Sequence, residues 1–523
     1  MLRRAIFPAL LTGLVFACSS SSDPPAEADA GPKKPPKYTP TALPALASAQ
    51  TTLEATLVPT HAKQTPVQPN PARLAGSKQY LDQGFGELGP GPGEKHVTRT
   101  IDGSTPPAAG PAAKRVARFV HIADFQLADD ESPTRLAGFD TPAATSSAAR
   151  PQDLQICRMA NACVRTINAL HKKEGFDFVL LGGDNADSAQ TNEVEWILSI
   201  LSGAPSVECD SGDDDDPVAG PDNDGKDPFV AEGLAPKWLW VTGNHDVLVQ
   251  GNNPISQNLD KALGTNAAGG TRDYSSESGG DVRSGDFVIA DPKRKLLDRK
   301  ALMAKVGADK DGHGIGDKQR ETGKAIYTHD VPGSPLRMLV LDTSAETGGA
   351  EGILHRADLD AQIKPALDAA KAEGKWVILA SHHATSSLTL DGGTFGTKQA
   401  DALTQEEWET FLGGYPNVIF SMVGHTHQHR VKAIQPKAGH AFWEVMTASI
   451  ADFPHQFRTI ELFDQDNGWI MMRATAVDFS IDGDPVAALG RKLGTADWTS
   501  GWLPGNGPGE ANERNVELWI KKP

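Results

Sequence analysis

Five short clusters of metal-binding and proton-carrying residues recur along this sequence: Asp124-Phe125-Gln126, Gly183-Asp184-Asn185-Ala186-Asp187, Gly243-Asn244-His245-Asp246, Ser381-His382-His383 and Gly424-His425-Thr426-His427. Carboxylate, amide and imidazole groups together form the donor set that divalent cations accept. A carboxylate can bridge two such ions, and an imidazole that is not a ligand can carry a proton. Taken singly, each cluster has an ordinary reading. A lone Asp at a strand end is commonly a turn residue, and a lone His is commonly a satisfied surface or core group. Their shared position changes the odds.

Each cluster ends an apolar run. Residues 116–123, 176–181, 237–241, 376–380 and 418–423 read as buried strands. All five sets therefore fall at carboxyl ends of strands, where open α/β sheets bind ligands. Another strand, 336–341, ends at Asp342. Helices are predicted over 153–173, 191–201, 358–373 and 404–411. In the first, Ile156, Ala160, Cys163, Ile167 and Leu170 share one face. Thr191 or Asn192 is the expected N-cap of the second, and Thr404 with Glu407 suits a capping box on the fourth. Residues 441–446, 457–463 and 469–477 follow as strands with no helix between them. Alternating βα units and then a meander predict an α/β fold with a mixed sheet or two stacked sheets. Glycines beside Asp184, Asn244 and His425 would let the backbone approach a common centre closely.

Read in order, the clusters resemble the signature of the calcineurin-like metallophosphoesterase superfamily: Asp-x-His, Gly-Asp, Gly-Asn-His-Asp/Glu, His, Gly-His-x-His. The resemblance spans about residues 115–480, and four of the five blocks match in full. It implies two stacked mixed β-sheets flanked by helices, an αββα sandwich with long loop insertions. It also implies a hydrolase of phosphoric esters that works with two divalent metal ions. By position, the first ion would take Asp124, Gln126, Asp184 and His427; the second would take Asp184, Asn244, His382 and His425, with Asp184 bridging. His383 is the alternative to His382. Two ions about 3.5–4 Å apart hold a hydroxide nucleophile at neutral pH and neutralise phosphate oxygens. His245 would then protonate the leaving group, and Asp187 would orient His245; the plainer reading of Asp187 is a turn residue before the next helix. Asp246 is left to support the loop.

Gln126 departs from the signature, which has His there. An amide oxygen is a harder, weaker donor than imidazole, which favours manganese or iron(II), with zinc still possible. A Gln here resembles the manganese-dependent members that cleave ADP-ribose and CDP-alcohol pyrophosphates, which points to a phosphate-ester or nucleotide-diphosphate-type small molecule. Arg135, His313, Asp342, His429, Asp452, His455 and Arg458 are further polar candidates. For each the surface reading comes first, and the 452–458 segment is the best of them.

Composition bounds the rest. A chain of 523 residues with 39% hydrophobic content can build a sizeable core, and a net charge of −17 without a basic cluster argues against nucleic-acid binding. Residues 1–17 read as a signal peptide, and Leu14-Val15-Phe16-Ala17-Cys18 resembles a bacterial lipobox. That resemblance implies a lipid anchor at Cys18 and an envelope location, with Ser19 pointing to the outer membrane; a plain signal peptide with a chance Cys is the alternative. Residues 18–112 form the expected tether and N-terminal extension, 113–485 the catalytic domain, and 486–523 an extended tail. Insertions are expected at about 203–236, which is acidic, and at 247–325, taken as a substrate-side lobe. Asp222-Asn223-Asp224-Gly225 resembles half a calcium loop but lacks the later Glu, so a solvated insertion is preferred. Cys157 and Cys163 are poorly spaced to bridge each other; either could pair with Cys209, leaving one thiol free. The rival to an enzyme is a surface-binding lipoprotein that keeps the fold and has little turnover.

Overall fold

Why the chemistry converges is clearest from strand direction. In the computed structural model, which describes residues 39–143, 145–212, 224–272, 282–283 and 286–523, two mixed sheets carry the core. Their strands are β1 (Val97–Thr100), β2 (Lys114–Ile122), β3 (Phe178–Leu181), β4 (Trp238–Leu239), β5 (Tyr327–Asp330), β6 (Leu336–Val340), β7 (Trp376–Ala380), β8 (Val418–Val423), β9 (Arg430–Ile434), β10 (Phe442–Met446), β11 (Gln456–Asp464), β12 (Trp469–Asp478) and β13 (Val516–Lys521). The seven-stranded sheet runs β1-β13-β12-β11-β2-β3-β4, and the six-stranded sheet runs β5-β6-β7-β8-β10-β9. Strands β2, β3 and β4 are parallel, as are β6, β7, β8 and β10. Each parallel set therefore delivers its carboxyl ends to one side of its sheet.

The parallel strands are apolar on both faces, as sheets covered on both sides require. Phe178, Val179, Leu180 and Leu181 are all buried, as are all six residues of β8. Side chains from both sheets join one continuous apolar core, among them Phe119, Ile122, Leu339, Ile378 and Phe420. Helices α1 (Ile156–Glu174), α2 (Thr191–Ser202), α3 (Lys364–Ala372), α4 (Gln405–Gly413) and α5 (Pro485–Thr499) flank the sheets. The predicted face of α1, from Ile156 to Leu170, is buried, and Gly175 ends the helix at φ +69°. Thr404 and Glu407 form the capping box of α4. The N-cap of α2 is Gln190, one residue earlier than expected.

Three segments depart from their sequence reading. The supposed tail after residue 485 holds α5 and β13, which pairs with β12 and with β1 inside the larger sheet. Val516, Leu518, Trp519 and Ile520 are buried between half-buried Glu517 and exposed Lys521, a short strand hidden behind a Gly/Pro-rich stretch. The same sheet takes β1 from the N-terminal extension, so its strands come from beyond both expected limits of the domain. The 247–325 insertion does not stand apart as a lobe: Leu297, Leu302, Met303, Val306 and Ile315 join the main core, while Asn252 lines the cavity at the site. The calcium-like run falls partly outside the described residues; Asp224 and Asp227 close a turn on backbone N–H groups. Cys157 pairs with Cys209, and Cys163 is free and buried. Residues 1–17 and Cys18 lie outside the described residues. No described helix is long and apolar enough to cross a membrane.

Candidate metal centre

The loops after β2, β3, β4, β7 and β8 meet at the carboxyl edge. Asp124 (φ +55°), Gln126 (φ +44°), Asp184 (φ +53°), His425 (φ +79°) and His427 (φ +54°) all sit in the left-handed region. Such a conformation costs about 1–3 kcal/mol for a non-glycine residue and persists only where its surroundings enforce it. At Asp184 that enforcement comes from Asp246. Its carboxylate accepts the backbone N–H groups of Gly243, Asp184, Asn185 and Ala186 at 2.8–3.1 Å. In return the Asp184 Oδ1 accepts the His245 backbone N–H at 2.8 Å. Gly243 lies between them because a Cβ there would stand 2.0 Å from Asp184 Oδ1.

The carboxylates of Asp124 and Asp184 and the imidazole of His382 come together, with donor atoms all within 4.8 Å. His382 Nε2 lies 3.0 Å from Asp184 Oδ2 and 3.9 Å from Asp124 Oδ1, while its Nδ1 is held by the Gly182 carbonyl at 2.8 Å. His427 Nε2 lies 3.3 Å from Asp124 Oδ1, and its Nδ1 meets Asp452 Oδ2 at 2.5 Å. The His425 ring centroid is 5.2 Å from that of His382. Asn244 donates from Nδ2 to the Gly251 carbonyl at 3.0 Å, and its Oδ1 is buried without a hydrogen-bond partner among the described residues. His383 has both ring nitrogens engaged, with Thr343 Oγ1 at 2.9 Å and the Ala350 carbonyl at 3.0 Å. Of the adjacent pair, His382 has a nitrogen within 4 Å of the carboxylates, while His383 lies with His382 and His425 in a second group whose donor atoms fall within 4.8 Å of one another.

Electrostatics fit a cation. Burial alone would lower His382 and His427, but the facing carboxylates outweigh it and push them up to about 9 and about 10. Imidazoles held protonated by facing carboxylates mark a site short of positive charge. His425 is held well below its ordinary value by burial and by the neighbouring His383 and His382, which keeps its ring neutral and able to donate a lone pair. Together with the orphaned Asn244 Oδ1, this donor set fits divalent metal ions.

His245 stands apart from the donors. Its Nδ1 faces the Asp187 carbonyl at 2.8 Å and Asp187 Oδ1 at 3.1 Å, and its Nε2 is 4.0 Å from Asp184 Oδ2. Burial would lower its pKa; Asp184 and then Asp187 outweigh burial and raise it. The His245 and His427 side chains keep 11% and 18% exposure, against 0–1% for Asp124, Asp184 and His382, and His425 is also only partly buried, so the centre opens to solvent on the side of these three histidines.

Two groups behind the donors were not legible as motifs. Arg150 is fully buried and places Nε 2.8 Å from Asp452 Oδ1 and Nη2 2.6 Å from Gln126 Oε1. Glu193 accepts the backbone N–H groups of Asp129, Asp187 and Ser188, fixing the loop that carries Asp187. Neither residue stands in a repeated pattern; only an acid or base in an otherwise helical or small-residue stretch hinted at either. The seven secondary candidates are all buried, so the surface reading fails for each. Only Asp452 and Arg135, 3.3 Å from Asp187 Oδ2, join the centre. His313 pairs with Asp309 and stacks on Trp238, Asp342 pairs with Arg299, His429 meets Gln456, His455 meets the Ile450 carbonyl, and Arg458 binds backbone carbonyls of Glu513 and Arg514. A cavity of about 300 Å³ opens on Gln126, Asp184, Asn244, His245, His425 and His427, with a far wall from Leu503 to Gly507.

Residues 117–429 match the model of a family described as calcineurin-like phosphoesterase. No curated protein matches the chain. Among solved structures, a dimetal phosphatase from Danio rerio is similar at 12% identity and TM-score 0.38, covering 70% of this chain and 100% of its own. A purple acid phosphatase, PPD1, from yellow lupin (Lupinus luteus) seeds is similar at 12% identity and TM-score 0.29, covering 73% of this chain and 54% of its own.

Proposed function

This chain belongs to the calcineurin-like phosphoesterase family and is a hydrolase of phosphoric esters, and from that premise we propose an exported, dinuclear enzyme that cleaves phosphodiester, pyrophosphate or phosphomonoester bonds in small molecules. The observation that carries the reading is the meeting of five strand-end loops on two carboxylates, three imidazoles and an orphaned amide oxygen. Asp124, Asp184 and His427 would hold one ion, with Gln126 beside it. Asp184, Asn244, His382 and His425 would hold the other, with Asp184 shared. When bound, the ions supply Lewis acidity that activates water and neutralises phosphoryl oxygens.

The chain's own residues do the rest. His245 Nδ1 gives its hydrogen to the Asp187 carbonyl or carboxylate, which leaves Nε2 as the atom that carries the transferable proton. As the bond from phosphorus to the leaving oxygen breaks, that oxygen takes the Nε2 proton. Asp187 keeps the ring turned toward the cavity and favours its charged form. Arg135 neutralises Asp187 from behind at 3.3 Å, so the buried carboxylate does not stand alone. Asp452 fixes the tautomer of His427 so that Nε2 is the donor atom.

Manganese or iron(II) is the favoured metal, and a nucleotide-diphosphate-type substrate is favoured by the Gln at 126. Export and lipid anchoring at Cys18 rest on the N-terminal sequence, and the Cys157–Cys209 bridge suits an oxidising compartment. Labelling of the chain by a fatty acid, absent in Cys18→Ser, checks the anchor. Activity is checked with bis-p-nitrophenyl phosphate after chelation. Turnover should return best with manganese; no metal-dependent turnover at all would favour the binding-protein reading, and equal recovery with zinc alone would count against the metal preference.

A further inference from the structure

Gln126 is held in an orientation that a metal ligand would not adopt. Its backbone N–H is fixed on the Asp184 carbonyl at 2.8 Å. Its side-chain Oε1 accepts from Arg150 Nη2 at 2.6 Å, and its Nε2 points to Asp184 Oδ2 at 3.4 Å. Turning the amide over would set an NH2 against a guanidinium and an oxygen against a carboxylate. A guanidinium has only donors and an ionised carboxylate only acceptors, so both new contacts would be repulsive. Arg150 is itself locked in place: it is buried, its Nε binds Asp452 Oδ1 at 2.8 Å, and its Nη1 lies 3.9 Å from Asp187 Oδ1.

We propose that Gln126 is not a metal ligand but a hydrogen-bonding bridge between Arg150 and Asp184, which makes the two ion sites of this enzyme unequal. The deduction rests on the dinuclear reading above. An amide NH2 has no lone pair to offer a cation, so the first site keeps only Asp124, Asp184 and His427. The Arg150 guanidinium lies in the wall of the same cavity and adds a fixed positive charge on that side. Fewer donors and a nearby cation both weaken the first site. The second site keeps Asp184, Asn244, His382 and His425 and fills first. Arg150 is a positioning residue: through Asp452 it reaches His427, and through Gln126 it sets the donor that faces the shared carboxylate.

The test is titration of the chelated full-length chain with manganese(II) alone, read by calorimetry and by the electron paramagnetic resonance of the bound ion. Two phases are expected, at least about tenfold apart in affinity, with an uncoupled single-ion spectrum at one equivalent. Gln126→Ala should leave both affinities within about twofold of the parent. A tenfold loss in that variant, or two equal phases in the parent, overturns the proposal. Should Gln126→Ala not fold, His427→Ala should keep the tight phase and His425→Ala should lose it; the reverse overturns the proposal. Binding of two ions with either of these contrary patterns leaves the dinuclear reading standing, whereas no manganese binding in the parent sinks both.

Discussion

His245 and Asp246 are adjacent in sequence and differ in task because one faces the cavity and the other faces backbone. His245 turns Nε2 outward with its Nδ1 anchored on Asp187, the arrangement of a proton donor rather than a ligand. Replacing it by Ala should lower kcat by roughly 10²–10⁴-fold, the usual share of general acid catalysis. Manganese affinity should stay near the parent value, because no metal donor is removed. Asp187→Asn keeps the carbonyl partner of Nδ1 but removes the carboxylate charge, so a loss of about 10–100-fold is expected. Steady-state kinetics beside manganese calorimetry separates the two roles; loss of metal binding in His245→Ala would make it a ligand instead.

Asp246 shows what the strand-end loops need as elements. Two loops from different strands, one of them holding Asp184 in the left-handed region, are stapled by one carboxylate that accepts four backbone N–H groups. Asp246→Ala strands those donors in a buried site, and unsatisfied buried donors cost about 1–3 kcal/mol apiece. The urea midpoint of unfolding should fall by an amount matching at least about 3 kcal/mol in total. A variant as stable as the parent would show that the loops are held by packing alone. Much of this scale was legible: runs such as 376–380 and 418–423 coincide with β7 and β8. Their apolar residues are local and contiguous, and both strands are buried in the core that the two sheets share. β9 and β13 were missed because short strands beside Gly- and Pro-rich turns look like loop.

At the scale of the whole molecule, distant segments are tied together. The Cys157–Cys209 bridge closes a separation of 52 residues, which on chain-entropy grounds stabilises by about 4 kcal/mol. Reduction, or the paired change of both cysteines to Ala, should lower Tm by several degrees. An unchanged Tm would mean that the bridge restrains a segment that is ordered anyway. Asp140 joins both chain extensions to the loop between β2 and α1, accepting from Asn70 Nδ2 at 2.6 Å and from Trp502 Nε1 at 3.1 Å. Burial raises its carboxyl to about 7 against those two hydrogen bonds. The folded chain therefore holds a proton there that the unfolded chain releases near pH 4, so this residue lowers stability as pH rises from about 4 to about 7. Asp140→Asn keeps an acceptor and removes the titration. Its Tm relative to the parent should rise across that window and level off above it; a constant difference would show that Asp140 is already ionised in the fold.

The sequence by itself determined the donor types, their order and their placement at strand ends, because a buried strand announces itself as an apolar run and a ligand cluster follows it directly. Family membership followed from that order. Only the tertiary structure decided which way each side chain turns. His382 rather than His383 faces the carboxylates because Thr343 and Ala350 occupy the other ring. Gln126 offers its NH2 to Asp184 because Arg150, which follows it by 24 residues and belongs to no motif, takes its oxygen. Such choices depend on contacts between residues far apart in the chain, and a local pattern carries no record of them.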